Sequence, residues 1–181
     1  MESEKIVREA RNIIEAHFEG NDYEPDVSGE SGIFVTLTKK GKLRGCIGLP
    51  MPVELSKGLR DAALGVINDS RFPQLSKDEL NEVTIEISLL SPPEEVEEPL
   101  KEIEIGKHGI IIRHGHHSGL LLPQVPVKEK WNLKEFLNYA CLKAGLTQGF
   151  WKEPGVEIYK FECIIYCEKS PGGEIVRKEL K

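Results

Sequence analysis

Residues 33–49 read IFVTLTKKGKLRGCIGL, and this stretch decides the fold. Two runs rich in β-branched and apolar residues, IFVTLT and KLRGCIGL, flank the polar segment KKGK. β-branched residues favour strands, and Gly41 suits the positive φ that a tight turn between two strands requires. The stretch therefore predicts a β-hairpin.

Helices are predicted on both sides of this hairpin. Apolar residues recur every three or four positions from Glu2 to about Phe18, and again after Pro52 up to about Asn68. Such spacing is typical of an amphipathic helix that buries one face. A third helix is predicted from Asn132, because Asn132 and Glu135 have the spacing of a capping box.

The rest of the chain predicts further strands rather than a βαβ repeat. Apolar and polar residues alternate from 83 to 89, which indicates a strand with one solvated face. Shorter strands are expected near 110–113 and 120–122, with a last strand from 156 to 168. We therefore predict an α+β fold in which a mainly antiparallel sheet packs with helices.

Composition and charge exclude several classes of protein. The chain has 181 residues, 39% of them hydrophobic, and its net charge is −6. No apolar run approaches the ~20 residues of a membrane helix, and the charged start does not resemble a signal peptide. Four cysteines without a CxxC pair are too few for a disulfide scaffold. We expect a cytoplasmic protein with reduced thiols and no membrane partner.

One region reverses the overall acidity. Between residues 39 and 60, six basic residues face a single acid, Glu54. This local charge could steer a small anionic ligand, or it could be only a solvated hairpin tip beside a charged helix face. Nucleic acid is not an expected partner, because the chain is acidic and only Phe34 lies nearby as an aromatic.

The string LRGCIG, residues 43–48, is the strongest candidate for chemistry. Gly45 and Gly48 leave the surroundings of Cys46 without side chains, and Arg44 places a cation beside it. A cysteine near positive charge is a candidate nucleophile. The alternative is a small buried residue in a glycine-weakened strand. His108 is a possible base for Cys46, although nothing in the local sequence joins the two.

Two other groups of residues carry weaker signals. Arg71, in the loop DSRFP, could bind a carboxylate or phosphate in forked geometry, or it could cap the preceding helix or pair with Asp69. The string HGHHSG, residues 114–119, predicts a solvated turn rather than a metal site. The chain lacks the Walker A, GxGxxG, HExxH and GxSxG strings. We therefore expect no metal and no cofactor.

Five separated strings together resemble one family. LRGCIG, DSRFP, EISLLSPPEE, GLLLPQV and FLNYACLKAGL occur in the order typical of the AMMECR domain family, over about Ile33 to Tyr166. The resemblance implies a single α+β domain over residues 1–181, with a larger lobe, a smaller lobe and a cleft between them. It implies no settled biochemical activity.

The resemblance also implies site residues and partners. LRGCIG is the hallmark of the family, which implies functional roles for its residues, and two further strings supply binding candidates. The residues carried over are Arg44, Gly45, Cys46, Gly48, Arg71, Phe72, Pro123 and Gln124. Members are often encoded with, or fused to, Memo-type proteins and radical S-adenosylmethionine proteins. This chain has no CxxxCxxC motif, so any radical chemistry would belong to such a partner.

Two functions remain open at this point. One is an enzyme or modification factor that uses Cys46, with Arg44 and Arg71 orienting an anionic substrate. The alternative is a non-catalytic binding or adaptor module whose glycines and LLPQV loop form a surface for a partner protein. RNA binding through residues 39–44 is a weaker third reading. The sequence names neither a reaction nor a substrate.

Overall fold

The predicted hairpin is present in the structure, a computed structural model that describes residues 2–180. Strand β1 spans Glu30–Lys39 and β2 spans Lys42–Glu54. The two residues between them, Lys40 and Gly41, have φ angles of 51° and 75°. Positive φ at both central residues is the geometry whose twist matches that of the two strands.

The other helices and strands follow the chain in a mixed order. They are α1 (Glu2–Glu19), α2 (Leu55–Ile67), β3 (Val83–Leu90), β4 (Glu94–Glu95), α3 (Pro99–Glu102), β5 (His108–His114), β6 (His117–Leu121), α4 (Gln124–Glu129), α5 (Leu133–Lys143), β7 (Glu157–Glu168) and β8 (Ile175–Lys178). Short 3₁₀ helices span Lys77–Asn81 and Phe150–Lys152.

The chain divides into two units. The first runs up to Leu90 and takes in Ile164–Lys178, and the second comprises Ser91–Cys163 and the chain from Glu179. The boundary falls inside β7, so this strand contributes residues to both units.

The first unit is a sheet with α1 and α2 packed on one face. Its strand order is β2–β1–β3–β7, and β8 pairs with β7. Side chains alternate along β1, so that Ile33, Val35 and Leu37 are fully buried under the helices. The apolar stripe of α2 supplies the opposing layer, which includes Leu59, Ala62, Ala63, Val66 and Ile67.

The second unit places α5 against a smaller sheet of β7, β5 and β6, with β4 also paired to β7. Asn132 caps α5 as predicted, since its side chain accepts a hydrogen bond from the Glu135 amide at 3.0 Å. Phe136, Leu137 and Ala140 pack on Ile110 and other buried residues of the sheet. The α+β fold with a mainly antiparallel sheet is thus confirmed.

Candidate functional site

Cys46 lies on β2, which is the first strand in the order of the first unit's sheet. Its register partner on β1 is Thr36, and both residues are half-buried. The Thr36 hydroxyl donates a hydrogen bond to the Cys46 sulfur, with Oγ1 and Sγ 3.3 Å apart. The sulfur therefore has a polar neighbour rather than a purely apolar environment.

The backbone of Cys46 is held by the loop that follows α2. The Cys46 amide donates to Asp69 Oδ2 at 2.9 Å, and the Cys46 carbonyl accepts from Arg71 Nη2 at 3.0 Å. In an antiparallel sheet, the amide and carbonyl of alternate residues on an edge strand point away from the sheet. Asp69 and Arg71 thus supply the partners that a further strand would provide.

Asp69 and Arg71 form a forked ion pair. Arg71 Nε donates to Asp69 Oδ1 at 3.0 Å, and Nη2 donates to Oδ2 at 2.7 Å. The Asp69 side chain is only 3% exposed, whereas that of Arg71 is 55% exposed. The hydrogen bond from Arg71 holds the pKa of Asp69 well below its usual range, and the Cys46 amide lowers it further.

The guanidinium of Arg71 is fixed on several sides. Its hydrogen bond to Asp69 raises the pKa of Arg71. The guanidinium carbon also lies 5.5 Å from the centre of the Phe72 ring, within the range of a cation–π contact. These contacts join five residues into one group, which we call the Cys46 cluster: Thr36, Cys46, Asp69, Arg71 and Phe72.

The two glycines of LRGCIG have a packing explanation. A Cβ on Gly45 would lie 3.0 Å from Val66 Cγ2, so the glycine lets the end of α2 approach the strand. A Cβ on Gly48 would lie 2.3 Å from Phe34 Cγ and 2.4 Å from the Ile33 carbonyl oxygen. Position 48 thus requires glycine because neighbouring atoms occupy the space of a side chain, whereas at position 45 a side chain would meet a tight contact with α2.

Arg44 binds Glu79, which lies outside the Cys46 cluster. Its Nε and Nη2 bind the two Glu79 oxygens at 3.0 and 2.9 Å, and Nη2 also binds the Pro73 carbonyl at 2.9 Å. Only 12% of the Arg44 side chain is exposed. This pairing lowers the pKa of Glu79 to about 2. The contacts of Arg44 tie β2 to the 3₁₀ helix.

The basic segment 39–60 is partly neutralised by acids. Lys39 pairs with Glu79 and Glu82 at 3.2 and 3.3 Å, and Arg60 pairs with acids of the loop after α1, Asp22 and Glu24. The remaining lysines of the segment, 40, 42 and 57, are exposed. The local positive field is therefore weaker than the sequence count suggests.

The other predicted site residues belong to the second unit. His108 is buried, and its Nδ1 accepts a hydrogen bond from the Glu104 amide at 3.0 Å. Burial, followed by the charge of Lys107, lowers the pKa of His108. Pro123 and Gln124 stand at the start of α4, with Pro123 as its N-cap residue. The LLPQV string thus leads into a short helix that the sequence did not predict.

The histidines of HGHHSG lie at the turn between β5 and β6. His114 packs edge-on against Phe150, with ring centres 5.0 Å apart, and His117 Nδ1 lies 3.1 Å from the Ala144 carbonyl oxygen. Within residues 2–180, no group of three histidines, cysteines or acids has the geometry of a metal site. In the same range, none of the four cysteines forms a disulfide bond.

Sequence reasoning missed two partners of the candidate residues. Glu79 follows Ser76 at the spacing of a capping box, which is present at the 3₁₀ helix, and this spacing does not indicate its contact with Arg44. Thr36 was read only as a strand residue. The alternation of side chains along β1 would have placed Thr36 opposite the core face, but only the observed register pairs it with Cys46.

A membrane-spanning role finds no support in the helices of residues 2–180, each of which is too short or too polar to cross a bilayer.

Relatives of this chain come from archaea and bacteria. The chain is similar to Protein NEQ441 of Nanoarchaeum equitans, with 46% identity over 90% of this chain and 98% of that protein. A protein of Aquifex aeolicus is 42% identical over the whole of both chains. The crystal structure of the uncharacterized protein PH0010 from Pyrococcus horikoshii matches with a TM-score of 0.90 and 39% identity, covering 97% of this chain and 95% of that one.

A family model described as AMMECR1 matches residues 7–166. The match spans most of the chain and includes the strings LRGCIG, DSRFP and LLPQV. On the strength of this match and of relatives above 40% identity, the chain belongs to the AMMECR1 family.

Proposed function

We propose that this protein is an enzyme or modification factor in which Cys46 reacts with a substrate that carries an anionic group. The observation that carries the proposal is the contact between the Thr36 hydroxyl and the Cys46 sulfur, 3.3 Å apart. The other charged and glycine residues of LRGCIG are accounted for by Glu79, Val66 and Phe34. Cys46 is the residue of the string whose side chain can act as a nucleophile.

The surroundings of the sulfur favour a nucleophilic role. A hydroxyl donor and a nearby guanidinium both stabilise negative charge on sulfur. Arg71 Nη2 lies 3.0 Å from the Cys46 carbonyl oxygen, which supports this closeness. In such a reaction the thiolate sulfur bonds to an electrophilic atom of the substrate, and the displaced group leaves with the bonding electron pair.

Arg71 is the proposed anchor for the anionic group of the substrate. Its Nε and Nη2 atoms already bind Asp69 and Cys46. The side chain is 55% exposed, and the Nη1 group provides two further N–H donors. A carboxylate or phosphate bound there would lie beside the residue whose sulfur reacts. Arg44 is a weaker anchor, because Glu79 and Pro73 already use its Nε and Nη2 atoms.

The family resemblance supports two further parts of this proposal. Memo-type and radical S-adenosylmethionine proteins are proposed partners, and the cytoplasm is the proposed location, where thiols stay reduced. His108 has no role as a base in this proposal, because the lone pair of its Nδ1 accepts the Glu104 amide and the proton of the neutral ring then lies on Nε2.

The test is a comparison of thiol alkylation rates at each cysteine, followed by mass spectrometry of the native protein. We expect Cys46 to react first with iodoacetate, ahead of the half-buried Cys163 and Cys167 and the buried Cys141. For Cys46 we expect the rate ratio of iodoacetate to iodoacetamide to fall about fivefold in Arg71→Gln, because an anionic reagent loses ~1 kcal/mol of attraction.

The matched control is the double variant Asp69→Asn with Arg71→Gln, which keeps the local net charge of the native pair. A fall in the ratio in both variants assigns the effect to the guanidinium at this position. If Cys46 reacts no faster than Cys163 and Cys167, or if its preference for iodoacetate survives both variants, the proposal is wrong.

A second candidate function is a protein-binding module, the alternative that the sequence left open. It is favoured by an open groove in the second unit, of about 510 Å³, whose walls include Pro126 and Val127 of the helix that follows LLPQ. The groove is within the size range of ligand sites in proteins, about 300–1,000 Å³.

A further inference from the structure

The groove in the second unit is lined by apolar residues and by two lysines. Its apolar residues are Ile105, Pro126, Val127, Trp131 and Leu180, and its charged residues are Glu104, Lys107 and Lys130. The end of α4 fixes one wall, since the Trp131 amide donates to the Pro126 carbonyl at 2.9 Å. The wall is therefore built by regular backbone hydrogen bonds rather than by a loose loop.

Aromatic side chains continue the groove onto α5. The Trp131 ring stacks on Tyr139, with ring centres 3.9 Å apart and planes 7° from parallel. Tyr139 is 40% exposed and Leu142, one turn further along the helix, is 44% exposed. Tryptophan and tyrosine are the residues most enriched at the energetic centres of protein interfaces. We call the groove and these two exposed residues the α4–α5 surface.

The lining of the groove has one more lysine than acid, although the whole chain is acidic. Two lysines face one acid in the groove, whereas the protein has a net charge of −6. Lys107 lies 3.6 Å from Glu162, and both side chains are about half exposed. Among residues 2–180, Lys130 forms no ion pair. A bound carboxylate could therefore pair with the ammonium group of Lys130, and also with that of Lys107, whose contact with Glu162 is weak.

We propose that the α4–α5 surface docks an acidic segment of a partner protein, with leucine or aromatic side chains in the groove and carboxylates at Lys107 and Lys130. A peptide fits better than a small molecule, because the groove is open and its lining combines apolar residues with lysines. This inference rests on the binding-module function and not on the chemistry of Cys46.

The test uses the full chain labelled with 5-fluorotryptophan and followed by ¹⁹F NMR. The chain has two tryptophans, so Trp131 reports on the groove while Trp151 serves as an internal control. The probe is an eight-residue peptide with two leucines and four glutamates, compared with versions in which lysines replace the glutamates or serines replace the leucines.

We expect the acidic peptide to shift the Trp131 resonance and to leave Trp151 unchanged. Binding should weaken about fivefold in Lys107→Gln with Lys130→Asn, because both ammonium groups that face the peptide carboxylates are lost. Asparagine is used at position 130 because it tolerates the left-handed backbone of Lys130, whose φ is 56°. The matched control is Lys128→Gln with Lys134→Gln, which removes two exposed lysines outside the groove and should bind the peptide normally.

The possible failures are distinguishable. Equal binding of the lysine and glutamate peptides would keep the docking function but overturn the acidic partner. No shift with any peptide at millimolar concentration would overturn both. Sedimentation that shows a dimer, abolished by the Lys107 and Lys130 changes, would assign the surface to a second copy of this chain and overturn the proposal.

Discussion

The carboxylate of Asp69 accepts a hydrogen bond from the backbone amide of Cys46, with Oδ2 and N 2.9 Å apart. The same carboxylate holds the guanidinium of Arg71, which returns a hydrogen bond to the Cys46 carbonyl. One buried acid thus closes the edge of β2 and orients the cation of the Cys46 cluster. Covered edges protect a sheet from pairing with other chains.

The first prediction concerns the two tasks of Asp69. Asp69→Ala leaves the Cys46 amide without its acceptor, and we expect a loss of about 2–3 kcal/mol in the free energy of unfolding. Asp69→Asn keeps one acceptor oxygen for the Cys46 amide, but its NH2 group replaces the oxygen that accepts from the Arg71 backbone amide and Nε. We therefore expect a smaller loss than for Asp69→Ala, of about 1–2 kcal/mol. Urea unfolding of both variants measures the difference. Equal losses would show that charge pairing, and not the amide contact, dominates.

The second prediction concerns acid stability. Ion pairing lowers the pKa of Glu79 to about 2 from an ordinary value of 4.5, and Asp69 is shifted in the same direction. A depressed pKa in the folded state contributes stability that is complete above the unfolded pKa and is lost as the pH falls. We therefore expect the stability contributed by these acids to be constant from about pH 8 to pH 5.5 and to decline below about pH 4.5.

Urea unfolding of the native protein and of Glu79→Gln at several pH values measures this contribution. The variant should be less stable at neutral pH, and its stability should fall less between about pH 4.5 and pH 2. Parallel curves for the two proteins would contradict the assignment of this pH dependence to Glu79.

The third prediction separates the two arginines. Arg44→Lys loses the two-point contact with Glu79, so we expect about 1–2 kcal/mol less stability and an unchanged alkylation rate at Cys46. Arg71→Lys should do the reverse, with little change in stability and a lower preference of Cys46 for iodoacetate over iodoacetamide. Thermal unfolding and peptide mapping of the same samples measure both effects. A lower alkylation rate at Cys46 in Arg44→Lys would show that Arg44 contributes to the reactivity of Cys46.

The fold was predictable because its signals are local. The turn at Gly41, the apolar stripes of α1 and α2, and the cap at Asn132 each depend on residues close in sequence. The short elements β4, α3, α4 and β8 were not predicted, since these segments of two to six residues carry too few periods to be recognised.

The site was less predictable because a bulge changes the register of the hairpin. Counting back from the pair of Lys39 and Lys42 would place Gly45 opposite Thr36. In the structure Leu43 faces Thr38 and Gly45 faces Leu37, so Arg44 is the extra residue on β2. This one-residue shift brings Cys46 opposite Thr36. Nothing in the composition of LRGCIG indicates it.

The last prediction ranks the two glycines of LRGCIG by the stability that is lost when each is replaced by alanine. Gly48→Ala places a Cβ 2.3 Å from the Phe34 ring and 2.4 Å from the Ile33 carbonyl oxygen. Both are closer than atoms can pack, and the carbonyl belongs to the paired strand, so we expect a loss of about 3 kcal/mol or more. Gly45→Ala meets Val66 Cγ2 at 3.0 Å and the Val66 carbonyl oxygen at 3.3 Å, which a shift of a few tenths of an ångström between α2 and β2 relieves.

The matched comparison is therefore Gly45→Ala, for which we expect about 1–2 kcal/mol. Adding Phe34→Ala to Gly48→Ala removes the ring but leaves the carbonyl, so the double variant should lose more stability than Phe34→Ala by itself. Urea unfolding of the native protein, Gly48→Ala, Phe34→Ala and the double variant gives a double-mutant cycle, and Gly45→Ala is measured beside it. If Gly48→Ala costs no more than Gly45→Ala, the close approach of Phe34 and Ile33 is not the reason for a glycine at position 48.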